Sequence, residues 1–328
     1  MAIPTGAIRY NTDSNKMECF NGTKWYQISV SESSPIAGRG IQFGANPNPR
    51  DEIQYFNLVT RGDAIDFGNL ASGRSSTCAV SSVTRGFCCG GYYAPGEKND
   101  IQEVIIATAG NATDFGDLTH TMARGNRGQV GSQTRGIIAG RQNYYDVIQY
   151  ITMAQKGDAV DFGNLTYDQE NTGGCGSPTR GILWGGEKQG SPHYVNNIEY
   201  ITIASTGNAV DFGDKINNVN NVTGGGNSVR GLAAGGGPVY SNAIAMVTIA
   251  TTGNAIDFGD DVSGYMGSNS QSTPIHTFFT GGYQPSPGTS TKMIRSFNIA
   301  SGGTAIDWGD VSTANSGLSG CSNTHGGL

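Results

Sequence analysis

Gly207-Asn208-Ala209-Val210-Asp211-Phe212-Gly213-Asp214 reads GNAVDFGD, and five near-copies of it occur elsewhere in the chain. They read GDAIDFGN (62–69), GNATDFGD (110–117), GDAVDFGN (157–164), GNAIDFGD (253–260) and GTAIDWGD (303–310). The central aspartates Asp66, Asp114, Asp161, Asp211, Asp257 and Asp307 are spaced by 48, 47, 50, 46 and 50 residues. A stretch recurring at such a period is a building block of the fold, so repetition is read before any local motif.

The Asp-Phe-Gly triplet inside the repeat is also the magnesium-holding triplet of protein kinases. A kinase needs it once, together with a His-Arg-Asp loop and a lysine-bearing strand. Neither accompanies it here.

Upstream of each copy lies a β-type run rich in isoleucine, valine, threonine and tyrosine, such as IQYITMAQ (148–155) and IEYITIAS (198–205). Run and copy are joined by two residues, most often Gly-Asn or Gly-Asp, a tight hairpin signal because glycine supplies the positive φ of such turns. Each copy is therefore the second strand of a hairpin. Alternation puts Ile65 and Phe67 on one side and Asp66 on the other. Further upstream comes a strand such as RGIIAGR (135–141) or RGILWGGE (180–187), and before it a small-residue segment such as GCGSPT (174–179). Four short strands per unit of roughly 48 residues, six times over, predict an all-β, six-bladed β-propeller over 31–328. The first unit lacks an obvious first strand. Residues 31–38 match that pattern poorly; the tail 317–327 matches it better, with Gly320-Cys321 aligned on Gly174-Cys175 and Thr324-His325-Gly326 on Thr179-Arg180-Gly181. The tail is expected to close the first blade and so remove an open sheet edge.

The chain has 328 residues, 51 of them glycine, with 14% charged residues and a net charge of −6. Glycine at fixed repeat positions argues for turns and close packing. No apolar run is long enough for a membrane helix, the start lacks the pattern of a secretory leader, and no basic patch suits nucleic acid. Cys78, Cys175 and Cys321 share one repeat position, Cys88 and Cys89 are adjacent, and Cys19 stands apart. Without paired Cys-x-x-Cys spacing they read as small buried residues rather than metal ligands. They suit assembly in a reducing cytoplasm.

The repeated aspartates have a repeated basic counterpart, Arg39, Arg85, Arg135, Arg180 and Arg230, with His276 in the sixth copy. Both series begin strands at the same end of the unit. The expectation is that the aspartates pair with these arginines or cap turn N–H groups. A ring of calcium sites is the alternative, but Asp-Phe-Gly-Asp offers too few oxygens on one short strand. No metal or cofactor is expected. The four histidines are scattered, and no nucleophile elbow, phosphate loop or zinc motif appears, so no enzyme is expected.

The loops between second and third strands are longer and variable, and they carry Tyr92, Tyr93, Tyr144, Tyr145, Tyr194, Tyr240 and Tyr283. Such residues suit stacking on sugars or protein contact, and equally suit plugging the rims of the blades. Residues 1–30 lie outside the repeat. GAIRYNTDSNKMECFNGTKW (6–25) reads as small β-hairpins turning at Asp13-Ser14-Asn15 and Asn21-Gly22. So small a unit cannot bury a core alone, which marks Ile8, Tyr10 and Trp25 as attachment residues.

Two resemblances follow. The Arg-Gly, diglycine and last-strand aromatic pattern over 39–328 resembles the kelch repeat, although Gly44-Ala45 and Gly140-Arg141 replace the diglycine in two copies and Trp308 is the single last-strand tryptophan. The IRYNTD…NGTKW segment resembles a module of tail-fibre and other virion proteins of tailed phages, and the GNAxDFGD blades resemble repetitive propellers of cyanophages. The resemblance implies a virion structural protein, assembled in the host cytoplasm. It would be attached to other virion proteins through its N-terminal module, present in several copies, and display its propeller to a host-surface glycan or protein. A purely structural capsid or tail decoration, or a free glycan-binding lectin, are the alternatives.

Overall fold

The computed structural model describes residues 3–12, 16–27, 38–45, 50–123, 128–141, 143 and 145–328. Its contacts separate into two units, Met1–Ala37 and Gly38–Leu328. All regular structure among the described residues is β.

In the small unit, Ile8–Asn11, Lys16–Phe20 and Trp25–Gln27 form one antiparallel sheet. The second turn forms because the Asn21 carboxamide oxygen accepts from the Thr23 and Lys24 amides (3.0 and 2.9 Å), the Asx geometry that makes asparagine a turn residue. The expected turn at 13–15 lies outside the described residues.

The large unit contains six four-stranded antiparallel sheets. Four run first–second–third–fourth in chain order. A fifth is completed by the tail: Ser319–Ser322 pairs with Arg39–Phe43 in the register Cys321↔Ile41, taking the first-strand position. The competing segment 31–37 lies outside the described residues. In the sheet around Arg135–Arg141 the first strand shrinks to a Gly131↔Gly136 bridge, and Glu187–Lys188 adds to the far side.

The register repeats from unit to unit, and so does a fault in it. Asp211 lies opposite Glu199 and Gly213 opposite Ile198, so Phe212 is an extra, bulged residue; the same shift recurs in the other five units. The bulge interrupts simple alternation. Phe67 is buried, whereas Ile65 is 54% exposed.

Each bulge docks against the next unit. Gly253 N–H donates to Phe212 O (2.7 Å) and Ala255 N–H to Asp214 O (2.8 Å). A Cβ on Gly213 would lie 2.5 Å from Gly253 O, so only glycine admits this approach. The sixth unit makes the contact with the first: Gly62 N–H donates to Trp308 O (3.0 Å) and Ala64 N–H to Asp310 O (2.8 Å). The apolar core is divided in the same way. Six buried clusters each draw on two successive repeats, the last joining Phe56 and Leu58 to Phe278, Ile294 and Trp308. Each buried phenylalanine contributes about 1.5–3 kcal/mol.

The first strands are polar and buried. Ser322 Oγ donates to Ser272 O and Ser81 Oγ to Ser322 O, both at 2.8 Å. Gln129 Nε2, from the third repeat, reaches Ser270 O in the sixth at 3.2 Å. Buried hydroxyls and amides at this density persist only when paired.

Beyond Ser322 the tail departs from the alignment expected of it. The second-strand position is already filled by Arg39–Phe43, and Asn323 Oδ1 accepts from Arg39 N–H (2.9 Å). Residues 324–327 instead cross between repeats. Thr324 Oγ1 donates to Ser272 O (2.9 Å), His325 Nε2 to Ser81 O (2.9 Å), and there is no room for a Cβ on Gly326 against Asn227 and Gly176 or on Gly327 against Gly131.

Candidate functional site

Chain direction gives each repeat two ends. The first-to-second and third-to-fourth turns share one, the turn end; the second-to-third loops form the other, the loop end.

At the turn end the expected Asp–Arg pairing is corrected. All six motif aspartates, Asp66, Asp114, Asp161, Asp211, Asp257 and Asp307, are exposed, so water already satisfies them and no cationic partner is required. The arginines turn instead to the backbone of the next repeat. Arg39 donates to Ile106 O and Ala107 O (2.9 Å each), Arg85 to Met153 O (3.2 Å) and Arg135 to Ile203 O (2.9 Å). Arg180 donates to Ile249 O and Ala250 O (2.9 and 3.0 Å), and Arg230 to Ile299 O and Ala300 O (2.7 and 2.8 Å). Three guanidiniums also lie over a tyrosine of their own sheet, Tyr55, Tyr150 and Tyr200, at 4.4–4.8 Å from the ring centre. Arg85 faces Glu103 at 3.4 Å.

Among the motif aspartates, Asp307 caps an N–H as expected, accepting from Gly309 (3.2 Å); the recurrent capping is done by the residue after the turn glycine. Oδ1 of Asp63, Asn111, Asp158, Asn208 and Asn254 accepts from Asp310, Asn69, Asp117, Asn164 and Asp214 N–H respectively (2.9–3.1 Å). Gly303 has no side chain to do this. A second series was also missed: the carboxamides of Gln54, Gln102 and Gln149 accept from Ser312, Ala71 and Thr119 N–H of the preceding repeat (2.9–3.0 Å). The signal was present as the recurrent Ile-Gln of the third strand.

Buried charge enters the series at several positions, Glu199 among them, which takes the glutamine's place and accepts from Thr166 N–H (3.1 Å). Lys215 stands where three other repeats have leucine, and donates to Gly185 O and Val219 O (2.5 and 2.8 Å); burial pushes its ammonium down to about 7. Arg295 replaces the glutamine and contacts Asp261 (3.1 Å), with its guanidinium 4.0 Å over Tyr265. Burial raises the Asp261 carboxyl, with Arg295 opposing. His325 is buried and held down to about 4 by its loss of water. Cys88, Cys175 and Cys321 are buried, with thiols pushed up to about 11, 12 and 12 by desolvation; such thiols are poor nucleophiles. Among the described residues no three His, Cys, Asp or Glu side chains converge on a metal position.

At the loop end, Tyr92, Tyr93 and Tyr145 are about 43% exposed, while Tyr194, Tyr240 and Tyr283 are half-buried. Tyr144 lies outside the described residues. Tyr194 packs edge-on to His193 (4.9 Å). Tyr283 lines a cavity of about 650 Å³ with Met266, Thr289, Ser290, Ala314 and Ser316.

In the small unit, register sorts the attachment residues onto two faces. Ile8 pairs with Cys19 and Tyr10 with Met17, while Cys19 also pairs with Tyr26. Directly paired residues share a face, so one face carries Ile8 (61% exposed), Tyr10 (54%), Met17 (44%) and Tyr26 (47%). Trp25 is on the other face, packed on Phe20 (5.3 Å) and beneath Arg9 (4.2 Å), which Glu18 holds at 2.8 Å.

No known family's sequence profile matches the chain, and no curated protein matches it significantly.

Proposed function

We propose that the chain is a virion structural protein of a tailed phage, a tail-fibre or appendage component. Its small N-terminal sheet attaches to other virion proteins, and its repeats form a six-bladed, kelch-like β-propeller displayed toward the host surface. The observation that carries this reading is the apolar face of the small sheet. Ile8 and Met17, beside Tyr10 and Tyr26, are exposed on a three-stranded sheet too small to bury them. A sheet of this kind needs a partner surface, which makes it an assembly element.

The propeller reading is supported by junctions that run from each repeat to the next and return from the sixth to the first. The chemistry is non-covalent. Loops that differ from repeat to repeat contact a host glycan or protein weakly, and several copies on one particle convert weak contacts into firm adsorption. The test is competition: excess purified chain is added to host cells before particles that carry it. Reduced adsorption is the expected result. Undiminished adsorption, with the chain found in purified particles, makes it a structural decoration; its absence from particles overturns the virion assignment.

A further inference from the structure

The cavity beside Tyr283 is framed by hydrogen-bonded backbone. Tyr283 and Met266 exchange both backbone hydrogen bonds (2.8 and 3.0 Å), which fixes its floor. One wall is a short hairpin in which Tyr283 pairs with Ser290 and Gln284 with Thr289. Gln284 Nε2 ties that hairpin to Ser263 Oγ (2.6 Å), and Thr291 N–H ties it to Gly282 O (2.9 Å). The opposite wall is Ala314 and Ser316 of the segment leading to the closing strand.

Its chemistry is narrow. The cavity of about 650 Å³ falls in the range of small-molecule sites, and no charged side chain lines it. The loop's one cation, Lys292, is held by Asp310 at 2.8 Å. The hydroxyls of Tyr283, Thr289, Ser290 and Ser316 form no hydrogen bond to another group among the described residues. Four free hydroxyls around an aromatic ring, a thioether and a methyl group match a ligand with one apolar face and a rim of hydroxyls. An anionic ligand finds no cation here, and a purely apolar one would leave the hydroxyls without partners.

We propose that this cavity is a binding site for a neutral saccharide, one or two pyranose rings of a surface glycan, with the sugar's C–H face on Tyr283 and its hydroxyls on Thr289, Ser290 and Ser316. The assignment deepens the recognition role proposed above and rests on it for its biological meaning. The ligand is bound without reaction.

The experiment is titration of the full chain, followed by saturation-transfer NMR, with glucose, galactose, mannose and N-acetylglucosamine, and with sialic acid as the charged control. At least one neutral sugar is expected to bind with a Kd on the order of 1–10 mM, typical of a few stacking and hydroxyl contacts, and sialic acid not to bind. Tyr283→Ala is expected to weaken binding at least about tenfold. Ser316→Val, a change on the cavity rim, should weaken it severalfold, and Asp211→Asn at the opposite end of the repeats should leave it unchanged. No binding by all four neutral sugars, or binding indifferent to both Tyr283→Ala and Ser316→Val, overturns the site. Competition for adsorption separates the two levels. If the chain competes and Tyr283→Ala competes equally well, the sugar site has no part in adsorption, its proposed recognition role fails, and host recognition by other surfaces stands. If sugar binds at Tyr283 but the chain does not compete, the site stands and the adsorption role falls.

Discussion

The two ends of the repeats are built from the same strands but follow opposite rules. At the turn end the residues are nearly invariant from copy to copy, and their side chains point their hydrogen bonds at the next repeat: Arg230 to Ile299 O and Ala300 O, Asn254 to Asp214 N–H. At the loop end length and composition change with each copy, and the aromatic residues stay half in water. Identity marks where the repeats must fit one another. Variation marks where they are released from that demand and can meet something else. Substitutions should therefore cost stability at one end and binding at the other.

The largest effect is expected at the bulge. Gly213→Ala forces a Cβ onto the Gly253 carbonyl in a backbone conformation that side chains rarely adopt, and should cost about 3 kcal/mol or more in denaturant unfolding. A cost below about 1 kcal/mol would mean that the bulge contact is not tight.

Next come two buried groups with shifted ionisation. His325, neutral when folded and held down to about 4, binds fewer protons than in the unfolded chain between pH 4 and about 6.5. Its contribution, on the order of 3 kcal/mol, is present above that window and is lost as pH falls through it. His325→Gln should flatten the acid limb of a stability–pH curve. Lys215 works at the other extreme. With the folded value near 7 and the unfolded value near 10.5, stability should rise with pH across that interval. Lys215→Met should remove the rise. Unaltered curves in either variant would contradict the burial described.

A sharper test uses the sixth junction, where His276 replaces arginine. There the indole of Trp308 donates to Asn57 O of the first repeat (2.9 Å), beside the carbonyls that the arginines take elsewhere. His276 packs against that indole (5.9 Å), its imidazole depressed by burial. Two substitutions in one repeat thus serve one function. Arg230→Ala at an ordinary junction should cost about 2 kcal/mol, the scale of charged hydrogen bonds. His276→Arg and Trp308→Phe should each destabilise by about 1–2 kcal/mol, while the double variant recreates the ordinary junction and recovers about 1 kcal/mol or more of that loss. Strict additivity would refute the exchange.

The smallest effects are expected of exposed groups. Asp211→Asn at the turn end and Tyr93→Ala at the loop end should each change stability by less than about 0.5 kcal/mol. A larger loss at Asp211 would restore a pairing role to the motif aspartates.

Much of this architecture was legible. The 48-residue period, the Gly-Asn turns and the alternating runs identified the strands. The small-residue tail at 317–327 supplied the absent first strand because it carries the same Gly-Cys pair as Gly174-Cys175. The arginine contacts were not legible because their acceptors are backbone carbonyls, which no sequence pattern displays. The repeated aspartate suggests pairing by its repetition alone, yet on an outer strand an exposed charge needs no partner and discourages edge-to-edge association. The bulge at Phe212 was hidden because a one-residue insertion leaves the residue pattern intact while changing what it faces. Nor could residues 324–327 be read as a crossing segment, since glycine and histidine take meaning there only from the carbonyls of other repeats. At the candidate sugar site, Tyr283 was visible as a loop aromatic. Met266 and Ser316 were not, because only the fold brings them to it.

The most direct measurement is an electron-microscopy reconstruction of a particle carrying the chain, resolved well enough to locate residues 3–27 and the Tyr283 loop. The account predicts Ile8, Tyr10, Met17 and Tyr26 covered by another virion chain or copy, and the loop end facing outward with the Tyr283 cavity open to solvent. A loop end buried against capsid or tail, with the small sheet left uncovered, would contradict it.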